Sequence, residues 1–387
     1  MAPLTARSVR VLVLNAGSST LKGSVLDPPD QQVLAASSVD LGADATRGQD
    51  LAGAVAGVLD DLRSDGIDPT TIGAVGHRVV HGGARYARPT RVDDAVLAEI
   101  EALAALAPLH NRIAAVAIRA AQHAFPDLPH IAVFDTAFHA TLPQEAIAYA
   151  VPRAWSEEWG IRRFGFHGLA VSWAARRTAE LLDRPVSDVR IVVAHLGSGC
   201  SVTAVDGGRS VDTSMGMTPL EGLVMGTRAG SLDPGILIRM LREGRRSLDE
   251  LADDLDHRSG LLGLSGRSAD VRVLLAAEAR GDDAARLALA VFVRRAAAGI
   301  AAAATTLPSV DAISFSGGIG EHSAEIRSRI VQRLGVLGVA PLPDEPADAD
   351  GASTRSDRVV SDGPPAVVRV AAREDVVIAK CVVDALG

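Results

Sequence analysis

Two stretches of this chain, 180 positions apart, follow the same pattern of residues. The segment VLVLNAGSSTLKGSVLD at 11–27 and the segment IVVAHLGSGCSVTAVDG at 191–207 each contain an apolar run, a short Gly/Ser turn and a second, more alternating run. This pattern predicts two strands joined by a tight turn, whose backbone N–H groups can point at one ligand. Its recurrence predicts a duplicated α/β unit.

A third strand followed by glycines, AISFSGGIGE at 312–321, precedes a helical pattern with Ile326, Ile330 and Leu334. Helix-like spacing and short buried runs elsewhere indicate the α/β class. The predicted helices are 92–107, 111–124, 168–183, 236–255 and 281–304, and the predicted strands are 73–80, 130–135 and 366–371. The stretch 341–365, rich in Pro, Asp, Ala and Ser, is expected to be a surface loop.

Net charge, cysteine spacing and the apolar segments indicate which ligands and which cellular compartment to expect. The net charge of −8 argues against general binding to nucleic acid or an anionic membrane, so any anion site must be local. Cys200 and Cys381 match no metal-ligand spacing, and two reduced thiols are typical of a cytoplasmic protein. The Ala-rich segment after Arg295 is the most apolar, but Gly299 interrupts it, so we expect a buried helix rather than a membrane span.

The first turn, from Asn15 to Lys22, combines glycine, hydroxyl groups and one cation, which together suit a phosphate. Each of the three glycine turns by itself is equally compatible with a solvated turn, but three such turns in one chain favour a nucleotide site. Neither G-x-x-x-x-G-K-[ST] nor a strand-linked G-x-G-x-x-G occurs. The phosphate-binding architecture must therefore be a different one.

Together with five longer strings, these turns resemble the phosphate-one, phosphate-two and adenosine motifs of the acetate kinase (acetokinase) family. That family belongs to a superfamily with sugar kinases, heat-shock chaperone ATPases and actin. The strings are GHRVVHGG at 76–83, PLHN at 108–111, FDTAFH at 134–139, RFGFHG at 163–168, and the segment from Asp212 through MGTR at 225–228 to DPG at 233–235. Their order and spacing agree with the family from Val11 to Lys380.

The resemblance implies duplicated ribonuclease H-like (actin-like ATPase) domains with an interdomain active-site cleft. The first domain would comprise 1–139 plus 373–387, and the second, 140–372, would bind the nucleotide and form a homodimer. It implies reversible, direct in-line transfer of the ATP γ-phosphoryl group to the carboxylate of acetate, which gives acetyl phosphate and ADP.

The resemblance also implies roles for particular residues. Arg78 and Arg228 would flank the phosphoryl group and the acetate carboxylate, and His167 would donate to the phosphoryl group. Acetate is already ionised, so no strong base is needed. Asp135 is therefore expected to orient an arginine or a magnesium-bound water, with a purely structural carboxylate as the alternative.

The remaining implied contacts concern acetate, the metal and the nucleotide. Acetate would contact Arg78 and a methyl pocket of Val80, Leu109 and Pro219, and propionate would be a poorer substrate. Mg²⁺, with Mn²⁺ as an alternative, would be held by Asn15 and Glu374, although the neighbouring Asp375 leaves the acidic ligand open by one position. The implied nucleotide and phosphate ligands are Asn15, Ser18, Thr20, Lys22, His195, Gly197, Ser198, Gly199, Asp270, Arg272, Gly318, Ile319 and Gly320.

Several positions depart from the family pattern. Ser198 and His322 stand where asparagine is usual, Phe164 replaces a tyrosine, and Leu169-Ala170-Val171 replaces Thr-Ser-His. Three alternatives therefore stay open: a kinase for propionate or butyrate, a non-catalytic actin-like nucleotide-binding module, and a degenerate homologue.

Overall fold

The chain folds into two compact units, each built on its own six-stranded sheet. A computed structural model of the protein describes residues 9–17, 20–27, 32–41, 49–107, 110–343 and 357–387. Unit 1 comprises the described residues up to 140 together with 166–169 and 373–387, and unit 2 comprises 141–165 and the described residues of 170–372.

Unit 1 contains the first of the two sheets. Its strands are β1 (Arg10–Ala16), β2 (Thr20–Asp27), β3 (Gln32–Asp40), β4 (Ile72–Val79), β5 (Thr90–Arg91) and β6 (His130–Phe134). They lie in the order β3-β2-β1-β4-β6-β5, in which β1, β4 and β6 are parallel and the other pairs are antiparallel. Three helices of this unit are α1 (Gln49–Ser64), α2 (Asp94–Ala102) and α3 (Asn111–Ala124).

Unit 2 repeats this topology. Its strands are β7 (Arg190–Leu196), β8 (Cys200–Asp206), β9 (Arg209–Thr213), β10 (Ala312–Ser316), β11 (Arg358–Ser361) and β12 (Ala366–Arg369). The order β9-β8-β7-β10-β12-β11 reproduces that of unit 1, with β7, β10 and β12 parallel and the outer pairs antiparallel. The duplicated α/β fold is therefore confirmed, and the two similar segments of the sequence form the equivalent hairpins β1–β2 and β7–β8.

The helices that follow are mostly in unit 2. They are α4 (Gln144–Ile147), α5 (Arg153–Trp159), α6 (Gly168–Leu181), α7 (Pro234–Arg242), α8 (Leu248–His257), α9 (Gly260–Ser265), α10 (Val271–Glu278), α11 (Asp283–Ala304), α12 (Gly317–His322) and α13 (Ala324–Val331). The last helix, α14 (Glu374–Leu386), belongs to unit 1. By length and composition α11 could span a membrane, but half of its most apolar window is buried, and it packs on β7 and β8 like a core helix.

Helix α14 lies close to the sheet of unit 1 because β4 carries a glycine beneath it. A Cβ at Gly76 would lie 2.7 Å from Ile378 Cγ2 and 2.8 Å from Val382 Cγ2. These β-branched side chains are stiff, so the helix could not keep this distance above a larger residue. The glycine thereby helps to set where the first residue of α14, Glu374, stands relative to β1 and β4.

The structure corrects several boundaries. The predicted helix 236–255 is two helices, because Ser247 begins α8 with a capping box completed by Glu250. The predicted loop 341–365 contains strand β11, and its residues 344–356 lie outside the described part of the chain. The segment 166–169, placed by sequence in the second domain, lies in unit 1, where the ring Nε2 of His139 donates to the carbonyl of Phe166 at 2.9 Å.

Candidate active site

Three polar side chains of unit 1 meet because they lie at the carboxyl ends of adjacent parallel strands. Leu14 pairs with His77 across β1 and β4, so Asn15 and Arg78 stand side by side where these strands end. Asp135 follows the last residue of the adjacent parallel strand β6. The carboxyl ends of parallel strands share one edge of a sheet, which is where α/β proteins bind their ligands.

Arg78 is the centre of a hydrogen-bonded cluster at this edge. Its Nε donates to Asp135 Oδ1 at 3.0 Å, and its Nη2 donates to Asp135 Oδ2 at 2.6 Å. Its Nη1 donates to Asn15 Oδ1 at 3.1 Å and lies 3.4 Å from Glu374 Oε2, which also accepts from Asn15 Nδ2 at 2.7 Å. Two carboxylates therefore surround one guanidinium, and the cluster carries one excess negative charge.

Burial governs the electrostatics of this cluster. It raises the pKa of the fully buried Asp135 carboxyl, while the Arg78 side chain and the backbone N–H of His167 oppose that shift. Burial alone would lower the pKa of Arg78, but Asp135 and Glu374 together raise it. The guanidinium stays charged, and its bidentate pairing fixes the direction in which it points.

His167 stands next to this cluster in a strained backbone conformation. Its φ of 59° lies in the left-handed region, which costs a non-glycine residue about 1–3 kcal/mol and is common at functional sites. The next residue must be glycine, because a Cβ at Gly168 would lie 2.1 Å from the carbonyl oxygen of Asp135. The chain therefore passes very close to Asp135 and brings the His167 amide onto its carboxylate.

The loop after β4 is held by buried polar groups for which the sequence analysis proposed no role. The backbone N–H of His81 donates to Asn111 Oδ1 at 3.0 Å, and Asn111 Nδ2 donates back to the His81 carbonyl at 2.9 Å. The N–H of Gly82 donates to Thr136 Oγ1 at 3.0 Å. These bonds fix the segment that carries the buried Val80. The sequence could have indicated a role for these residues, because His81, Asn111 and Thr136 all lie in the strings that resemble the family.

The first glycine turn lies at the same edge of unit 1. Gly17 N–H donates to the Thr20 carbonyl at 2.8 Å and closes the turn between β1 and β2. The exposed Lys22 is the antiparallel partner of Asn15, so their side chains project from the same face of the sheet. Two predicted site residues, Ser18 and Leu109, lie outside the described residues.

The second and third glycine motifs come together in unit 2. Gly197 N–H donates to the Gly199 carbonyl at 3.0 Å, and a Cβ at Gly197 would lie 3.8 Å from the Gly318 amide nitrogen. The third motif is the start of α12 rather than a hairpin, with Gly318 exposed, Ile319 half-buried and Gly320 buried. His195 stands near the end of β7, opposite Ser316 of β10. The two motifs thus lie at adjacent strand ends.

Arg228 lies close to the second turn. Its Nη1 donates to the Pro219 carbonyl at 3.0 Å. Burial lowers the pKa of Arg228, and the nearby Asp256 opposes this shift. Cys200 lies near Arg228, and its thiol donates to the Gly197 carbonyl at 3.3 Å. Burial raises the pKa of Cys200 to about 12, so the thiol is neutral.

The residues expected near the nucleoside lie beside this turn. Ser198 is exposed, and its carbonyl accepts from the Gly226 N–H at 3.1 Å. A Cβ at Gly226 would lie 3.4 Å from the Cβ of Ala269, which immediately precedes Asp270. Asp270 caps α10 and forms an ion pair of 2.6 Å with the exposed Arg272. In the structure the pair is thus a local surface contact.

The two acidic residues expected near a metal have different partners in the structure. Glu374 bonds to Asn15 and contacts Arg78 within the cluster, whereas the Asp375 carboxylate accepts from Arg373 Nε at 3.1 Å. Within the described residues no group of three or more His, Cys, Asp or Glu could hold a metal. One carboxylate in a cluster whose formal net charge is negative suits Mg²⁺, which takes most of its ligands from phosphate and water. The Asn15 oxygen is already bonded to Arg78.

The positions that depart from the family pattern differ in exposure. Phe164 is buried, with the Arg162 guanidinium 5.1 Å from its ring centroid. Leu169-Ala170-Val171 is buried in α6, which suits apolar residues. His322 is exposed at the end of α12, 3.9 Å from Glu321 Oε2.

Comparison with known proteins identifies the family of this chain. A model of the acetokinase family matches residues 10–380. The acetate kinase of Deinococcus radiodurans is 46% identical, with 95% of this chain and 96% of that protein covered. The acetate kinase of Streptomyces avermitilis is 42% identical, with 96% of each covered.

Solved structures of similar proteins extend the agreement to the fold. A propionate kinase from Francisella tularensis superposes with a TM-score of 0.84 at 34% identity, covering 96% of this chain and 98% of that one. An acetate kinase from Porphyromonas gingivalis superposes with a TM-score of 0.82 at 30% identity and the same coverage. The family and the fold thus define a carboxylate kinase with duplicated α/β domains. The chain belongs to the acetokinase family.

The burial of His139 predicts a pH dependence of stability. Burial lowers the pKa of His139 to about 4, despite the Phe166 carbonyl. An unfolded histidine titrates near 6.5, so the unfolded chain binds an extra proton as the pH falls from 6.5 towards 4. We expect this residue to reduce the free energy of unfolding by up to about 3 kcal/mol over that window.

His139→Gln removes the titrating ring and should flatten the dependence of the free energy of unfolding on pH, measured by urea unfolding between pH 6.5 and 4. The exposed His123→Gln is the matched control and should follow the wild type. Equal slopes for His139→Gln and the wild type would contradict the prediction.

Proposed function

We propose that this protein is an acetate kinase that transfers the γ-phosphoryl group of ATP reversibly to acetate. The observation that carries this proposal is the half-buried cluster in which the buried Asp135, together with Asn15 and Glu374, orients Arg78, in a chain of the acetokinase family. Phosphoryl transfer requires mainly positioning and positive charge around the moving group. A fixed, permanently charged guanidinium meets both requirements.

Each of the proposed catalytic groups has one task. Arg78 and Arg228 bind the transferring phosphoryl group and the acetate carboxylate, and His167 donates to the phosphoryl oxygens as charge develops on them. Asp135 keeps Arg78 oriented and does not act as a base, because the acetate nucleophile is already ionised. Its bidentate hydrogen bonds to Arg78 support this assignment.

We propose that the nucleotide phosphates bind at the glycine turns. The turn closed by Gly17, with Lys22 beside it, and the turn of Gly197 and Gly199 present backbone amides to an anion. The start of α12 at Gly318 adds further amides next to Gly197. Asp270 and Arg272 lie beside the second turn and are proposed to contact the nucleoside.

The acid specificity can be tested with purified protein, ATP and Mg²⁺ by trapping the acyl phosphate as its hydroxamate. Acetate, propionate and butyrate are compared in parallel. One methylene in a small apolar pocket costs about 1–3 kcal/mol, so kcat/KM for propionate should be about 10- to 200-fold below that for acetate.

Propionate turned over faster than acetate would instead support the second candidate, a propionate kinase, which the similarity to the Francisella tularensis enzyme favours. No product with any acid, from protein that binds ATP, would contradict a kinase of either kind and favour the binding-module alternative.

We propose Mg²⁺ as the metal, with Mn²⁺ as a substitute and Glu374 as the carboxylate that holds it. When bound, the ion neutralises charge on the phosphate oxygens. The hydrogen bond from Asn15 and the contact with Arg78 already orient the Glu374 carboxylate. Asn15 would act chiefly by holding Glu374 and Arg78, since both ends of its amide are engaged by them.

This assignment predicts different outcomes for two neighbouring, nearly isosteric substitutions. Glu374→Gln should raise the Mg²⁺ concentration needed for half-maximal activity by about tenfold or more, because the ion loses its charged protein ligand. Asp375→Asn is the matched control and should change it by less than about twofold, since its partner is Arg373. A larger effect of Asp375→Asn would move the metal ligand to that position.

We also propose a cytoplasmic homodimer formed through unit 2. Helix α7 supports this, because Ile236, Ile238 and Leu241 are 52%, 49% and 42% exposed and none of its residues is buried. Exposed apolar surface of this kind is typical of a protein interface. Helix α11 is less suited to this role, because most of its large apolar residues are buried; Leu287 remains exposed.

Sedimentation velocity tests which helix contributes to the dimer. Ile236→Asp places a charge on α7 and should convert the dimer to monomers, whereas Leu287→Asp on α11 should leave the dimer intact. The opposite pattern would assign the interface to α11, and a monomeric wild type would contradict the dimer itself.

A further inference from the structure

A second polar cluster lies in unit 2 and involves none of the residues assigned above. The hydroxyl of Tyr149 donates to Glu221 Oε2 and accepts from the backbone N–H of Met217 at 3.0 Å. Glu221 Oε1 accepts from Arg163 Nη2 at 3.0 Å, and the Arg163 guanidinium lies 5.3 Å from the centroid of the Tyr149 ring. The three side chains form a connected set around one hydroxyl, one carboxylate and one guanidinium.

This cluster holds one segment of backbone, residues 214–222. Arg163 Nη1 donates to the carbonyls of Ser214 and Met215 at 3.2 and 2.9 Å. The carbonyl of Gly216 accepts the N–H groups of Phe164 and Gly165 at 3.1 and 3.2 Å. Four consecutive residues of the segment, 214–217, therefore bond to the cluster or to the chain beside Arg163.

The two glycines of this segment, Gly216 and Gly222, have little space around them for a side chain. A Cβ at Gly216 would lie 1.8 Å from Glu221 Oε2 and 2.1 Å from the Tyr149 hydroxyl oxygen. At the other end, Gly222 has a φ of 114°, and a Cβ there would lie 2.8 Å from the Ser214 carbonyl oxygen. Both ends of the segment are thus in close contact with their surroundings.

The middle of the segment reaches Arg228. Pro219 lies between the two held ends, and its carbonyl accepts from Arg228 Nη1 at 3.0 Å. A carbonyl can orient a guanidinium only if its own position is fixed. The position of Arg228 therefore depends on the groups that hold residues 214–222.

We propose that Tyr149, Arg163 and Glu221 are positioning residues for Arg228. They fix residues 214–222 so that the Pro219 carbonyl holds the Arg228 guanidinium in the direction needed for the transferring phosphoryl group. This inference rests on the proposed function, because it is the phosphoryl transfer that requires Arg228 to be fixed. Misplacement of a catalytic group by about 1 Å can reduce a rate by about 100-fold, so a remote cluster can control kcat.

A double-mutant cycle tests this dependence. Tyr149→Phe keeps the ring but removes the hydroxyl that joins Glu221 to the Met217 amide, and it should lower kcat by about tenfold with little change in the KM for ATP. In the Arg228→Lys background the same substitution should cost less than about twofold, because the group that it positions is already replaced. Equal losses in the two backgrounds would show that Tyr149 does not act through Arg228 and would overturn the inference.

Tyr86→Phe provides a matched control, since Tyr86 also donates to a carboxylate, that of Glu99, but in unit 1. These two tyrosines are the only ones in the chain. Loss of this second Tyr–Glu hydrogen bond should leave kcat within about twofold of the wild type. A tenfold loss in Tyr86→Phe as well would indicate a general structural effect and overturn the positioning role.

Amide hydrogen exchange provides a readout that does not depend on activity. Tyr149→Phe should accelerate exchange within residues 214–222 by about tenfold or more, because Met217 N–H loses its acceptor, while β7 and β8 keep their wild-type exchange. Unchanged exchange would overturn the inference. A wild type that forms no acyl phosphate would contradict the proposed function, and the exchange result would still show whether the cluster holds the segment.

Discussion

The ion pair between Arg78 and Asp135 is the interaction on which the site in unit 1 depends. Asp135 is fully buried, and breaking such a pair by removing one partner typically costs about 3–5 kcal/mol, because the remaining charge is left without a counter-charge. The pair therefore requires several features around it. They are the parallel register of β1, β4 and β6, the close approach of Gly168, and the position of α14 above Gly76.

The two units share one topology but place different polar groups at equivalent strand ends. In each unit the first parallel strand leads into a glycine turn, so Asn15 in β1 corresponds to His195 in β7. The strand register makes Ser316 of β10 the counterpart of Arg78. Unit 1 thus gathers charged side chains at its edge, whereas unit 2 gathers backbone amides from glycine turns.

Arg78 and Arg228 are fixed in different ways. Two carboxylates and an amide hold Arg78, so its orientation is determined by charge. Arg228 instead bonds to the Pro219 carbonyl, so its orientation depends on how rigidly residues 214–222 are held. A guanidinium held by a carbonyl instead of carboxylates is not oriented by an ion pair, so its direction depends on a rigid backbone.

The sequence by itself determined the duplicated hairpins, the α/β class, the glycine turns and the family, because these follow from local periodicity and from continuous strings of residues. It did not determine which residues touch. The grouping of Asn15, Arg78, Asp135 and Glu374, drawn from positions up to 359 apart, and the different partners of Glu374 and Asp375 depend on strand register and helix placement. The cluster around Tyr149 was equally invisible in the sequence. Such contacts depend on tertiary packing, since no local pattern records the distance between remote side chains.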